Sequence, residues 1–130
     1  MIDIIRVLRE IDDAIRHITD IFLADTNLSC TLTAAVGANT WSTWTEIIDS
    51  GGTKLSDATA TEFGHITSVM IETVSDNTAL YMYEIAWGAA KTIVTRGRFA
   101  GAGKFQAANI QGRFWAPHFP PGELIYYRLK

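Results

Sequence analysis

Apolar side chains recur at alternating spacings of three and four residues along residues 1–24. This pattern is the a/d repeat of a coiled coil, and here it continues for three heptads. Isoleucine at every d position favours three or four associated helices over a parallel pair. We therefore predict an N-terminal amphipathic helix, assigned to residues 1–25, whose apolar seam forms an oligomer interface. The seam residues are Ile4, Leu8, Ile11, Ile15, Ile18 and Phe22.

The same helix has a second interpretation, because its apolar stripe is wider than a strict seam. Ile5, Val7 and Ile21 extend the stripe, and a broad stripe is typical of a helix that packs on the core of its own domain. An isolated helix of this length is marginal in water, so the stripe must be buried somewhere. Self-association and docking, on its own domain or on another protein, both remain open at this point.

From Leu28 onward the hydrophobic period changes to the alternation that is typical of β-strands. Seven short strands are predicted, separated by turns rich in glycine, asparagine, aspartate and proline. A series of strands with no helix between them is typical of an antiparallel β-sandwich or jelly roll. We therefore predict a mainly β fold, with a β-sandwich domain at residues 26–130 behind the helix. The predicted strands are Leu28–Val36, Trp41–Ile48, Ile66–Val74, Ala79–Trp87, Lys91–Phe99, Phe105–Trp115 and Leu124–Leu129.

The chain has 130 residues, which is enough for one domain, and its net charge of −3 hides an uneven distribution. Residues 1–90 carry 13 acidic and 4 basic side chains, whereas residues 91–130 carry 7 basic side chains and one acidic side chain. A basic patch can bind phosphates, but these cations are spread over several predicted strands. We therefore expect charge complementarity between subunits, or a solvated face, and no nucleic-acid partner.

No motif in the sequence predicts a catalytic or metal site. Gly101-Ala102-Gly103-Lys104 is similar to part of a phosphate-binding loop, but Phe105 stands where that loop needs serine or threonine. The three histidines show no metal-ligand spacing, and the single cysteine, Cys30, is expected to be a buried, unreactive thiol. We predict no enzymatic activity, no catalytic residue, no metal and no cofactor.

The aromatic residues allow one candidate ligand surface. Large aromatic side chains usually fill cores and subunit contacts, although their flat faces also suit sugar rings. Trp115, His118 and Phe119 flank Pro117 in a predicted loop, and Trp115 is the best candidate for an exposed ring. We predict a ligand or partner surface formed by Trp115, His118 and Phe119.

Several short segments within residues 62–130 carry a resemblance to a known class of proteins. They are His65-Ile66, Tyr83-Glu84-Ile85, Gly97-Arg98-Phe99, Pro117 with Pro120-Pro121-Gly122, and Tyr127-Arg128-Leu129. In these segments the chain resembles small virion structural proteins of tailed bacteriophages. Proteins of that kind have jelly-roll or related β-sandwich domains on capsid or tail surfaces, often as trimers.

The resemblance implies a capsid decoration (cement) or head-surface protein, without enzymatic activity, that stabilises the particle through contacts between subunits. The expected partners are further copies of the chain in a homotrimer and other virion proteins such as the major capsid protein, with no membrane. The expected location is the virion, after synthesis in the host cytoplasm. One alternative is a receptor- or carbohydrate-binding module of a phage tail fibre or spike, and another is an enzyme whose site forms between subunits.

Overall fold

The computed structural model describes residues 4–8, 22–23, 27–71, 73–76, 78–100 and 116–130. The described part of the chain is mainly β, as predicted. It has four strands and one short helix, and residues 4–8 are also helical. The strands are β1 (Thr45–Glu46), β2 (Leu80–Trp87), β3 (Thr92–Ala100) and β4 (Ile125–Leu129), and the helix is α1 (Leu55–Ala58).

The four strands form one antiparallel sheet in the order β1-β4-β2-β3. β4 therefore lies inside the sheet, between β1 and β2. Its Tyr127 pairs with Ile85 of β2 on one side and with Thr45 of β1 on the other. Such a position leaves the final strand no open edge, which removes a common route to aggregation.

β2 and β3 form a hairpin through the turn at residues 88–91. Gly88 has a φ of +73° and Lys91 a φ of +55°, in the left-handed region that glycine adopts without steric cost. The Lys91 amide donates a hydrogen bond to the Gly88 carbonyl at 3.2 Å. The predicted turn at residues 88–90 is confirmed, but β3 begins at Thr92 because Lys91 does not have strand geometry.

The hydrophobic core lies on one face of the sheet. Alternate residues of the central strands point into it, among them Tyr83 and Ile85 of β2 and Ile125, Tyr127 and Leu129 of β4. Apolar side chains from two stretches outside the sheet pack against this cluster, and they cover the face that the strands leave open. The packing residues include Cys30, Leu32, Ala34, Ile66, Val69, Ile71 and Val74.

The predicted strand at residues 28–36 is wrong, because these residues belong to no strand, and of the described residues of 66–74 only Met70 makes a β-bridge. Burial still alternates along residues 28–34, with Cys30 and Leu32 partly buried and Thr31 and Thr33 exposed. The backbone, however, bonds outside a ladder: the Thr33 amide donates to the Tyr127 hydroxyl at 3.0 Å. The alternation thus reports an extended segment with one buried face, not a paired strand.

The remaining predicted elements have mixed outcomes. Of Trp41–Ile48, only the two residues of β1 form a strand, and the strand predicted at residues 105–115 lies outside the described residues. Residues 4–8 of the predicted helix are helical, whereas residues 22 and 23 are not, and Leu23 has a φ of +71°. The helix therefore does not continue through Phe22 as predicted.

None of the described helices has the length and apolarity that crossing a membrane requires.

Candidate functional site

The face of the sheet opposite the core carries the most organised polar cluster in the described residues. Side chains alternate between faces along a strand, so Met82, Glu84 and Ala86 of β2 point away from the core. Glu84 and Ala86 are nevertheless 1% and 0% exposed. A glutamate that is this deeply buried has to be paired, since an isolated buried carboxylate is very costly.

Two arginines from the flanking strands pair with Glu84. Arg96 of β3 donates from Nε at 3.2 Å and from Nη2 at 3.0 Å, both to Oε1. Arg128 of β4 donates from Nη2 to Oε2 at 3.0 Å. The register places the three residues in one row across the sheet, with Glu84 opposite Arg96 on one side and Arg128 on the other. Both carboxylate oxygens are therefore held by charge-assisted hydrogen bonds, which are the strong kind.

Tryptophan rings pack around Arg128. Its guanidinium carbon lies 4.6 Å from the ring centroid of Trp41 and 4.6 Å from that of Trp44. The Lys130 ammonium also lies 5.0 Å from the Trp41 centroid. Cation–π contacts of this kind hold the arginine in one orientation. They also engage the two rings with cations of the same chain.

A second row of cations follows the first. Met82 is paired with Arg98 of β3 and exchanges backbone hydrogen bonds with Lys130 at 2.8 and 3.0 Å. Positions two residues apart on a strand are about 7 Å apart, and strands two places apart are separated by about 10 Å. We call the four cations of these two rows the basic face; they are Arg96, Arg98, Arg128 and Lys130.

The basic face holds four cations and the buried Glu84 in two neighbouring rows of the sheet. Glu84 is the carboxylate that the described ion pairs place among its cations. The Arg96 side chain is 57% exposed, whereas that of Arg128 is 27% exposed. Glu84 therefore links one arginine on each neighbouring strand into a row across the sheet.

The described residues of the predicted oligomer seam differ in their burial. Ile4 and Leu8 lie on the helical turn at residues 4–8 and are 67% and 59% exposed. Phe22 is partly buried against the core of its own chain. It also lines a cavity of about 360 Å³ with Leu23 and Leu28. The remaining seam positions, Ile11, Ile15 and Ile18, lie outside the described residues.

The predicted aromatic surface is also divided. Trp115 lies outside the described residues, and the exposed His118 stacks on His65 with 4.6 Å between ring centroids. Phe119 is 2% exposed and belongs to the core, so its ring is not on the surface. Gly64 explains this placement, because a Cβ at that position would lie 2.6 Å from the Phe119 ring.

Cys30 is partly buried, in keeping with the expectation of a sheltered thiol. Burial raises the pKa of the thiol, and the nearby Asp49 carboxylate raises it further. Both effects disfavour the thiolate, which is the nucleophilic form.

The ion pairs of Glu84 with Arg96 and Arg128 were not predicted from the sequence, although the hairpin turn indicates the first of them. The turn at residues 88–91 fixes the register of the hairpin, and this register brings Glu84 opposite Arg96. Charged residues directly opposite each other on one sheet face are expected to pair. Arg128 could not be found in this way, because no short turn connects β4 to β2.

No family model matches the chain, and no curated protein or solved structure matches it. Within the described ranges, no group of three or more histidine, cysteine, aspartate or glutamate side chains is arranged to hold a metal ion.

Proposed function

We propose that the chain is a non-catalytic structural subunit of a larger protein particle, and that this particle is a virion on which it serves as a capsid decoration or head-surface protein. The observation that carries the proposal is the exposed apolar turn at residues 4–8. Ile4, Ile5 and Leu8 are 67%, 65% and 59% exposed in the single chain. Three large apolar side chains on one helical turn are expected to be covered by another protein surface.

The energetics favour a partner for this turn. Burying a leucine or isoleucine side chain completely contributes about 1.5–3 kcal/mol relative to leaving it in water. A short helix gains little stability from its own hydrogen bonds and depends on packing of its apolar side. A homotrimer in which the helices of three chains meet would bury the apolar side chains of the seam and would pack the apolar side of each helix.

The choice of a virion protein rests on the resemblance of residues 62–130 to small phage structural proteins. Three of the segments that carry the resemblance are neighbours in the sheet: Tyr83 pairs with Gly97 on one side and with Leu129 on the other. These residues build the core of the sheet, which is the part of a structural protein that a resemblance is expected to retain. We also propose the finer fold, a β-sandwich or jelly roll, with the extended segment at residues 28–34 belonging to its second layer.

The seam is tested by the double variant Ile4→Asp with Leu8→Asp, analysed by light scattering of the full-length chain. We expect the variant to be monomeric where the parent chain is oligomeric, because charges at the seam would be buried without partners. The matched control is Val36→Asp with Ala90→Asp, which adds the same charge at two exposed loop positions. An unchanged mass for the seam variant would exclude the seam as the interface.

The virion assignment needs a separate experiment. Phage particles induced from the organism that encodes the chain are purified on a density gradient and analysed by quantitative mass spectrometry and immunogold labelling. We expect the chain at a fixed ratio to the major capsid protein, with label on the head surface. Particles that lack the chain would contradict the assignment, and label confined to tail fibres would favour the receptor-binding alternative.

A further inference from the structure

Two of the three histidines of the chain meet in the fold, although they are distant in sequence. Gly64 and Phe119 form an antiparallel bridge, in which each amide donates to the other residue's carbonyl, at 3.1 and 2.8 Å. His65 and His118 are the next pair along this bridge, and side chains of such a pair lie close together on one face. Their imidazole rings are stacked, with 4.6 Å between centroids and 16° between the ring planes.

We propose that His65 and His118 together chelate one divalent transition-metal ion, such as Zn²⁺ or Ni²⁺. Imidazole nitrogen is a preferred ligand of these ions. Bonds of about 2.0–2.1 Å to a tetrahedral ion place two ligand nitrogens about 3.4 Å apart. This separation is shorter than the distance between the stacked rings, so a small tilt of the rings toward each other brings one nitrogen of each to the ion.

The backbone on both sides of the histidine pair is anchored. Phe119 is 2% exposed and belongs to the core, and Gly64 is buried against its ring. The Gly122 amide donates to the Thr59 carbonyl at 3.0 Å, which holds the segment of His118 at a second point. Ligands that the fold already holds in place lose little conformational freedom when they bind an ion. The two imidazoles are therefore preorganised for chelation.

The histidine rings do not have to give up their other contacts to bind an ion. Each imidazole has two ring nitrogens, so one can coordinate while the other keeps a hydrogen bond. The Nδ1 atom of His65 is buried, and we therefore assign coordination to Nε2 of this ring. Because His118 is exposed, water can fill the remaining coordination positions. The bound ion would join the segment at Gly64 to the segment at Phe119.

The site is tested by titrating the full-length chain with NiCl₂ and ZnCl₂ in isothermal titration calorimetry, with MgCl₂ as the control cation. The variants are His65→Gln and His118→Gln. The matched control is His17→Gln, which changes the third histidine of the chain. Circular dichroism verifies folding, and the exposed position of His118 makes His118→Gln the variant that is expected to fold without difficulty.

We expect one Ni²⁺ per chain and a higher melting temperature in its presence, because an ion that binds the folded state stabilises it. Loss of an outer-shell partner weakens metal binding about 10–100-fold, and loss of a direct ligand should weaken it at least as much. His118→Gln is therefore expected to bind Ni²⁺ at least about tenfold more weakly, whereas His17→Gln should bind like the parent chain. Mg²⁺ prefers oxygen ligands and should not raise the melting temperature.

The position of the ion is measured separately by nuclear magnetic resonance. Paramagnetic Ni²⁺ is expected to broaden the amide signals of Gly64, His65, His118 and Phe119 before those of other residues. Broadening that starts elsewhere in the chain would contradict the assignment.

Two calorimetric results would overturn the proposal. One is an unchanged Ni²⁺ affinity in both His65→Gln and His118→Gln, and the other is a parent chain that binds no Ni²⁺ at about 1 mM, which is too weak for a chelate. The same affinity is expected in the Ile4→Asp with Leu8→Asp variant, because both ligands belong to one chain. Loss of binding in that variant would place the ion between chains and would contradict the proposal.

Discussion

Glu84 lies opposite Arg96 across the β2–β3 hairpin, and its Oε1 accepts hydrogen bonds from both Nε and Nη2 of that arginine at 3.2 and 3.0 Å. This pair follows from a local feature of the sequence, the hairpin turn between β2 and β3. The four-residue turn at residues 88–91 fixes the register of the hairpin, and this register places Arg96 opposite Glu84. The ion pair between them orients one end of the row of charges. Arg128 completes the row from a strand 44 residues away in sequence.

Replacing Glu84 by glutamine is expected to destabilise the fold. The change keeps the shape of the side chain but leaves two arginines without a countercharge, and removing one partner of a buried ion pair costs about 3 kcal/mol or more. Because Arg96 is 57% exposed and is partly hydrated, we expect about 3 kcal/mol, measured as the loss of free energy of unfolding in urea.

Two arginine variants provide the comparison for Glu84. Arg128→Met is expected to cost more than Arg96→Met, since Arg128 is the less exposed of the two and packs on Trp41 and Trp44. Replacing Arg98 by methionine tests a cation of the same face that makes no contact with Glu84 in the described pairs. Equal losses for all three variants would mean that Glu84 does not organise this row.

Replacing Tyr83 by phenylalanine is expected to leave the fold at least as stable. The Tyr83 side chain is 1% exposed, and its hydroxyl has no hydrogen-bond partner. A buried hydroxyl without a partner costs about 1–3 kcal/mol, so the variant is expected to gain about 1 kcal/mol in urea unfolding. A loss of more than about 1 kcal/mol would mean that the hydroxyl is hydrogen-bonded in solution.

Tyr83 is also expected to make the free energy of unfolding depend on pH in the alkaline range. Burial raises the pKa of Tyr83 above its ordinary value near 10. The folded state then favours the protonated phenol, so its full contribution is present below the unfolded pKa and is lost as pH rises through the folded pKa. We expect the free energy of unfolding to fall above about pH 10, and to fall less steeply in Tyr83→Phe.

Gly97 is expected to tolerate no side chain while Tyr83 is present. A Cβ at Gly97 would lie 2.5 Å from atoms of the Tyr83 ring, so the ring occupies the space above the glycine. Gly97→Ala should lower the free energy of unfolding by about 2 kcal/mol, the usual cost of overpacking. Combining it with Tyr83→Leu should remove most of that cost, and an unchanged cost would place the strain in the backbone.

The thiol of Cys30 is expected to react slowly in the folded protein. Its pKa is raised by burial and by the Asp49 carboxylate, which lowers the thiolate fraction. At pH 8, reaction with Ellman's reagent should be about tenfold slower than that of glutathione. Unfolding in guanidinium chloride provides the control and should restore the rate, whereas a fast reaction of the native chain would contradict the burial of Cys30.

The sequence predicted those parts of the fold that depend on local signals. β2, β3 and β4 lie within one residue of their predicted positions, because alternation and a glycine turn mark them together. The prediction of a strand at residues 28–36 failed because alternating hydrophobicity indicates only that one face is buried, whereas a strand also needs a neighbouring strand with which to pair. That neighbour depends on the tertiary structure, which periodicity does not contain.

The candidate site was less predictable for the same reason. Arg128 meets Glu84 only because β4 inserts between β1 and β2. Phe119 looked like a loop aromatic from its proline-rich surroundings, yet the glycine at position 64 provides the space that accepts its ring into the core. Both placements depend on contacts between residues that are distant in sequence.

The proposed self-assembly of this chain is tested most directly by the mass of the unmodified full-length chain in solution. Native mass spectrometry at micromolar concentration and low salt, supported by light scattering, provides that mass. We expect a trimer of three 14.4-kDa chains. A single 14.4-kDa species at every concentration would contradict it.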